Sequence, residues 1–270
     1  MARKRFQNQT AWITGASSGI GRALAIALSK EGATLLLSGR NQQALAETAD
    51  ACGGAETLAF ETTDFDALPG IVEQALARLG HIDMLANNAG ISQRSLALDT
   101  GFDVYRRLME VDFFAPLRLT QLVLPHMVAR RRGLLINNAS IAGKFGSPLR
   151  TGYCAAKHAL VGWSDALRAE IAQYGIAVHV VTAGYVQTGI AENAVTGDGS
   201  PVGPGDDPVN QGLPAADAAE MILAGVARGQ REIVVGKPGA TELAMLALKS
   251  ANPDQLFDLM VGIAPKVPRS

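Results

Sequence analysis

Six short apolar runs alternate with longer stretches of helical periodicity up to about residue 183, and no other feature narrows the possible folds as much. The runs are TAWIT (10–14), TLLLSG (34–39), TLAF (57–60), DMLANNAG (83–90), GLLINNAS (133–140) and IAVHVVTAG (176–184). Runs such as Leu35-Leu36-Leu37 are continuous rather than alternating, the mark of parallel strands covered on both faces. Parallel strands need right-handed crossovers, and the intervening helices supply them. The pattern predicts an α/β protein, a doubly wound parallel sheet of Rossmann type in three α/β/α layers. Long helices are expected at 103–131 and 148–174, and REIVVG (231–236) as the last strand. With no repeat and no interdomain linker in 270 residues, residues 1–270 read as one domain.

Composition removes several function classes. The chain is 48% hydrophobic and 18% charged with a net charge of −1, and it lacks the basic stripe that nucleic-acid binding requires. The basic start MARKRFQNQTAWITG meets Thr14 and Gly15 too soon for a signal peptide. No window approaches the ~18 apolar residues of a membrane span. Cys52 and Cys154 make no disulfide framework, and the histidines at 81, 126, 158 and 179 show no metal-ligand spacing. A cytoplasmic location is expected, with no metal.

The first candidate site is ITGASSGIGRALA (13–25), which sets Gly15, Gly19 and Gly21 between the first strand and the first helix. Glycines let the backbone approach a pyrophosphate, and the helix N-terminus offers it free N–H groups. Such a turn alone can serve packing, but after strand one of a doubly wound pattern it reads as a phosphate loop. The second strand ends in LLLSGRN, with Arg40 and no acidic residue. An acid there binds a ribose 2′-hydroxyl and an arginine accommodates a 2′-phosphate. With Ser17 adding a hydroxyl, NADP(H) is expected in preference to NAD(H), although an arginine in an arbitrary loop would be read as solvated surface.

The second is SPLRTGYCAAKHALVG (147–162). Tyr153 and Lys157 stand at i and i+4 and so share a helix face. A phenol ionises near pH ~10, and a neighbouring ammonium, joined by an oxidised nicotinamide, is expected to lower that value. The phenol then exchanges a proton with an alcohol oxygen while hydride moves to or from the cofactor. Ser140, thirteen residues earlier at a strand end, is placed to hold the substrate oxygen. Taken alone, Y-x-x-x-K is as consistent with a packed tyrosine and an exposed lysine.

TGASSGIG (14–21), NNAG (87–90), Ser140 in INNASIAG, YCAAK (153–157) and GYVQT (184–188) together resemble the short-chain dehydrogenase/reductase family over nearly the whole chain. HIDMLANNAGISQRS, KHAL and GYVQTGIAENAVTGDGS look most like its member seven-B group, whose relatives are linked to lipophilic carbonyls or alcohols. The resemblance implies a single Rossmann domain, a homodimer or homotetramer, and Tyr153 as proton donor or acceptor. Lys157 binds the nicotinamide ribose and lowers the tyrosine pKa, and Ser140 positions the carbonyl. The same resemblance gives the cofactor Gly15, Ser17, Ser18, Gly19, Ile20 and Gly21 at the phosphates and Glu61-Thr62 at the adenine. Asn88, Ala89 and Gly90 follow along its length, then Gly184, and Val186 and Thr188 at the carboxamide. Two positions depart from the family pattern. Asp112 stands where an asparagine helps hold a water that connects the lysine to solvent, so the proton relay is expected to survive with altered pH dependence. Ala183 replaces a proline, which implies a looser start to the lid.

The stretch 189–213 is dense in Gly, Pro, Asp and Asn, begins at a strand end, and reads as a substrate lid. The apolar segment at about 239–264 has three readings: a helical cover over the cleft, an oligomer interface close behind it, and last a membrane-surface foot. Its flanking cations are only Lys249, Lys266 and Arg269, few for a surface-binding helix. Ile91, Ile141, Phe145, Leu149, Ile190 and Val195 are expected around the site, with Arg94 and Lys144 read as solvated. An NADP(H)-dependent carbonyl reductase or alcohol dehydrogenase acting on a medium to large apolar substrate is the expected activity. A non-catalytic NADP(H)-binding regulator is the alternative, and a nucleotide-sugar epimerase would need a larger substrate region.

Overall fold

The computed structural model describes residues 4–266. In chain order the elements are β1 (Thr10–Thr14), α1 (Gly19–Lys30), β2 (Thr34–Gly39), α2 (Gln42–Ala51), β3 (Glu56–Ala59), α3 (Leu68–Leu79), β4 (Met84–Asn87) and α4 (Phe102–Met109). Then come α5 (Ala115–Arg130), β5 (Gly133–Asn138), α6 (Thr151–Ile171), β6 (Ile176–Ala183) and the short strands β7 (Val186–Gln187) and β8 (Leu213–Pro214). The chain continues through α7 (Ala215–Ala227), β9 (Glu232–Val235), α8 (Thr241–Ala251) and α9 (Pro253–Ile263).

Seven strands form one parallel sheet in the order β3-β2-β1-β4-β5-β6-β9. Successive strand side chains point to opposite faces, and the apolar runs divide accordingly. Ile13, Leu35, Leu37, Ala86, Ile136 and Val181 face α1, α2 and α7. Trp12, Leu36, Leu85, Leu135 and Val178 face α3, α5 and α6. The strand order reverses between β1 and β4, and the loops leaving those two strands part there to open a crevice at their carboxyl ends.

The long helix expected at 103–131 is three pieces: α4, a π-helical turn at Glu110–Phe114, and α5. Such a turn carries one residue more than an α-turn, and here it brings Asp112 to full burial. The second helix begins at Thr151 rather than 148, because Pro148 is followed by Leu149 with a left-handed φ of 65°. The segment after β6 is tied at its base by the two-stranded ladder of β7 with β8 and by Gly184 N–H donating to Val235 O at 2.7 Å. Ala183 is buried above that tie. α8 and α9 form a roof: Leu256 is fully buried against Ile141 and Phe145, with Met245 and Met260 beside it.

At the opposite end of the sheet, buried Asp83 gathers a structural cluster. Its Oδ1 accepts from Arg130 Nη2 at 3.0 Å, and its Oδ2 accepts from Thr10 N–H at 3.1 Å and lies 3.2 Å from His81 Nε2. Arg132 Nε is 3.5 Å away. Burial opposes ionisation, but the Thr10 N–H, Arg130, Arg132 and His81 together hold the carboxyl below its usual value. Its stabilising contribution is therefore complete above the unfolded value of about 4 and is lost as pH falls through the lower folded value. Asp83→Ala orphans the Thr10 N–H and frees the cations. We expect a loss of about 2–3 kcal/mol and a fall in Tm of roughly 5–10 °C at neutral pH, shrinking below pH ~3, read by calorimetry.

Candidate active site

Two cavities meet at the β1–β4 crevice. The first is a groove of about 530 Å³ running over the glycine loop, the ends of β2 and β3 and the loop after β4. Gly15, Ser17, Ser18, Gly19, Ile20, Arg40, Glu61, Thr62, Asn88, Ala89, Gly90 and Thr188 all line it. Gly21 lies beneath it: a Cβ there would stand 2.3 Å from Gly15 O and 2.4 Å from Asn88 Nδ2. Asn88 Nδ2 donates to Thr14 O and Gly15 O at 3.1 and 3.2 Å, fastening the glycine loop to the end of β4. Ser18, the residue before α1, caps none of the helix N–H groups with its side chain, so they are left for an anion. A close-packed glycine cradle, free N–H groups and a groove of this length fit a dinucleotide. Arg40 is exposed at the end of β2, with Nη1 3.6 Å from Glu61 Oε2.

The second cavity, about 160 Å³, lies between the serine loop after β5, the first turn of α6, the segment after β6 and the roof. Ser140, Tyr153, Lys157, Gly184 and Val186 line it, and it shares Ile20, Asn88, Gly90, Asn138, Thr188 and Ile190 with the groove. Of the expected walls, Ile141, Phe145 and Ile190 line this cavity, Ile91 and Val195 line the groove, and Leu149 lines neither.

Lys157 is buried, and two of its three N–H donors are committed, to Asn138 O at 3.1 Å and Asp112 Oδ1 at 3.2 Å. The third remains for the cavity. Burial lowers the lysine pKa, but the charge of Asp112, then that of Tyr153, outweighs it and the ammonium is retained. Asp112 lines neither cavity. It stands behind Lys157, accepts from Ile91 N–H at 3.2 Å, and leaves Oδ2 without a protein partner. Burial raises its own pKa against the pull of Lys157.

The phenol corrects the expected fall in its pKa. Burial comes first and pushes Tyr153 above its ordinary value, Lys157 opposes it, Asp112 adds to it, and Ser140 and Arg150 act downward. The ammonium acts in the expected direction but does not overcome desolvation. Ser140 Oγ donates to Ala183 O at 3.2 Å and accepts from Ala142 N–H at 3.1 Å, so its O–H must rotate from that carbonyl to reach a ligand oxygen.

Arg94 and Lys144, expected to be solvated, are both ion-paired. Lys144 holds Glu232 at 3.0 Å. Arg94 binds Asp207 of the lid, and Arg150 Nη2 lies 3.6 Å from the same oxygen. Buried Glu242 of the roof accepts from Tyr185 N–H at 3.2 Å. Arg94, Arg150, Asp207 and Glu242, with buried Gln93, line the substrate-side cavity, and the pairings that join them to distant elements carry no local sequence signal because those partners lie 57 to 113 residues away. Asn138 was within reach of the sequence, two residues before Ser140 in INNAS.

A parallel doubly wound sheet with a glycine cradle at its switch point, opening beside a buried Ser-Tyr-Lys cluster, defines a dinucleotide-dependent oxidoreductase class. The profile of the family described as short chain dehydrogenase matches residues 9–198, and the chain belongs to the short-chain dehydrogenase/reductase family. Dehydrogenase/reductase SDR family member 7B of Bos taurus is 38% identical over 278 residues, spanning 99% of this chain and 85% of its own. The Danio rerio counterpart is 36% identical over 98% of this chain and 88% of its own. A crystal structure of a short-chain dehydrogenase from Streptomyces avermitilis superposes with a TM-score of 0.79 at 28% identity, covering 94% of this chain and 99% of that one. A short-chain dehydrogenase/reductase from Burkholderia phymatum, solved in complex with NAD, has the same TM-score at 24% identity and full coverage of both chains, which shows the shared fold.

Asp112 carries a test that needs no substrate. Replacing its charge with an amide removes an influence that raises the Tyr153 pKa, so in Asp112→Asn the phenol should ionise at lower pH. Tyrosinate absorbance, taken as the difference from Tyr153→Phe, measures it; an unchanged or rising value contradicts the electrostatic role of Asp112.

Proposed function

We propose that this chain is an NADP(H)-dependent oxidoreductase that interconverts a ketone or aldehyde with an alcohol, on a medium to large apolar substrate. One observation carries the reading: Ser140, Tyr153 and Lys157 converge in a cavity continuous with the dinucleotide groove.

Residues of the glycine loop and of the β2, β3 and β4 ends would hold the cofactor, with the third Lys157 N–H turned to its ribose. Bound there, the nicotinamide supplies or takes up hydride. In reduction Tyr153 donates its phenolic proton to the carbonyl oxygen as the carbon gains hydride, and oxidation reverses both movements. Ser140, rotated from Ala183 O, donates to the same oxygen as its charge grows. Lys157 holds the phenolate left behind, and Asp112 holds Lys157.

Arg40 at the end of β2, with Ser17 packed under Gly39, supports the 2′-phosphate of NADP(H). Ile141, Phe145, Met245, Met260 and Ile263 support an apolar substrate. The cavity is smaller than the ~300 Å³ of ordinary ligand sites, so the larger members of that class require the lid or roof to open. Assembly as a homodimer or homotetramer is part of the proposal, with exposed Leu98, Phe102, Phe257 and Val261 as apolar surface available to partners. So is a cytoplasmic location; among the described residues no helix is long and apolar enough to cross a membrane. Asp112, where the family pattern has asparagine, is what favours the alternative, a non-catalytic NADP(H)-binding regulator.

Fluorescence titration with NADPH and NADH, followed by a panel of apolar ketones monitored for cofactor oxidation, separates the two. We expect NADPH to bind more tightly, and Arg40→Ala to weaken NADPH roughly 10–100-fold with NADH within about twofold. Tyr153→Phe should lower turnover by about 10²–10⁴ with cofactor affinity retained. Tight NADPH binding with no turnover of any ketone supports the regulator, and equal affinity for both cofactors overturns the role of Arg40.

A further inference from the structure

Gln93 belongs to none of the roles assigned above, yet its fully buried side chain makes four hydrogen bonds around the catalytic helix. Its Oε1 accepts from Gly152 N–H at 2.7 Å and Tyr153 N–H at 3.3 Å, while its Nε2 donates to Ser95 Oγ and Thr100 Oγ1, both at 3.1 Å. The N–H groups in a helix's first turn have no partner inside the helix, and Arg150, the residue before α6, caps none of them with its side chain. Gln93 therefore caps α6 from another part of the chain, at the backbone of Tyr153 itself. The fit is close: a Cβ on Gly152 would stand 2.8 Å from Leu108 Cδ1 and 3.1 Å from Gln93 Oε1.

The backbone around Gln93 is engaged by the lid. Val195 N–H donates to Ser92 O and accepts in return, through its carbonyl, from Arg94 N–H, both at 2.8 Å, so that Gln93 and Val195 form a parallel bridge. Val195 is itself buried. Asp207, further along the lid, binds Arg94 and lies by Arg150, the residues that flank Gln93 and α6. The lid thus grips the segment 92–94 at one side, and the Gln93 side chain carries that grip to the first turn of α6 at the other.

We infer that Gln93 is a positioning residue that makes the placement of Tyr153 depend on the seating of the lid. The inference rests on the reading of Tyr153 as the proton-transfer group. With the lid seated, the 92–94 segment is fixed and the cap aligns the phenol with Ser140. With the lid lifted, the segment loses its ladder and the first turn of α6 loses a rigid support. Misplacement of a reacting group by about 1 Å costs on the order of 10²-fold in rate, so a modest loss of alignment is enough to couple lid closure to chemistry.

Gln93→Leu removes all four bonds at similar volume, and Gln93→Glu keeps both acceptor bonds, with Ser95 and Thr100 turning to donate. Charge also changes in the second variant, and the phenol is already faced by Lys157 from its own helix, Arg150 from the residue before it, Asp112 from the π-turn and Ser140 from the serine loop. A carboxylate at this position, against the Tyr153 N–H, adds negative charge to that set and should move the phenol's ionisation to higher pH. We expect Gln93→Leu to lower kcat roughly 10–100-fold on a ketone the wild type reduces, with KM and the NADPH Kd within about twofold. Gln93→Glu should recover most of kcat and raise the Tyr153 ionisation seen in tyrosinate absorbance. Val195→Pro, which removes the lid's N–H donor, should lower kcat alone but add little to Gln93→Leu, because both break one linkage. A folded Gln93→Leu with wild-type kcat, a Gln93→Glu without rescue, or additive effects with Val195→Pro overturns the inference. If Gln93→Leu does not fold, a Val195→Pro protein with wild-type kcat overturns it. A wild type that binds NADPH but turns over no ketone sinks the proposed function instead, and the wild type's own inactivity tells that failure from a failure of the inference.

Discussion

A lysine ammonium can stay charged in a protein interior only if something there replaces its water, and at Lys157 two groups do so. Asp112 supplies a carboxylate oxygen and Asn138 a backbone carbonyl, each about 3 Å from the nitrogen. Much of the architecture serves to bring those groups together. The π-helical turn carries Asp112 inward, β5 delivers Asn138 at the sheet's carboxyl edge, and α6 stands the lysine one turn below Tyr153. Taking a carboxylate and an ammonium out of water costs several kcal/mol per ion, and here the mutual attraction must offset that cost with one Asp112 oxygen left unpartnered. Such a site contributes little net stability. What it secures is a fixed positive charge beneath a phenol.

The sheet was legible because its information is local. Continuous apolar runs separated by helical periodicity can be read strand by strand, and the alternation that sends Ile13 to one face and Trp12 to the other follows from strand geometry alone. The glycine loop and the Tyr153–Lys157 pair were legible for the same reason: their chemistry lies in spacings of four to six residues. The π-turn was not. MEVDFF has no feature that distinguishes one more helical turn from a widened one, and the difference decides whether Asp112 points into the core. Likewise the direction of the Tyr153 shift depends on how deeply the completed fold buries the phenol, which no spacing reveals.

The substrate side was legible only in its apolar half. Ile141, Phe145 and an apolar helical cover could be inferred from position, but the cavity is closed by Arg94, Arg150, Asp207 and Glu242, whose pairings join the loop after β4, the start of α6, the lid and the roof. Each would read as a solvated surface charge in its own segment. Together they make the lid an ionically fastened structure rather than a loose loop. That is consistent with the ladder of β7 and β8 at its base, which holds the segment after Ala183 without the proline usual at that place.

Burial and charge act on the Tyr153 phenol in opposite senses, and their balance bears on how the proposed chemistry runs. Without added positive charge the phenol stays protonated throughout the neutral range, because desolvation raises its pKa more than Lys157 lowers it. A protonated phenol is the form that the proposed donation to a carbonyl requires. The proposed oxidation would need the phenolate, and an oxidised, cationic nicotinamide bound in the groove would add positive charge that favours it. In the proposed chemistry the same side chain would then serve as acid with one cofactor state and as base with the other. Asp112, by adding negative charge near the phenol where an amide would add none, tilts that balance toward the acid.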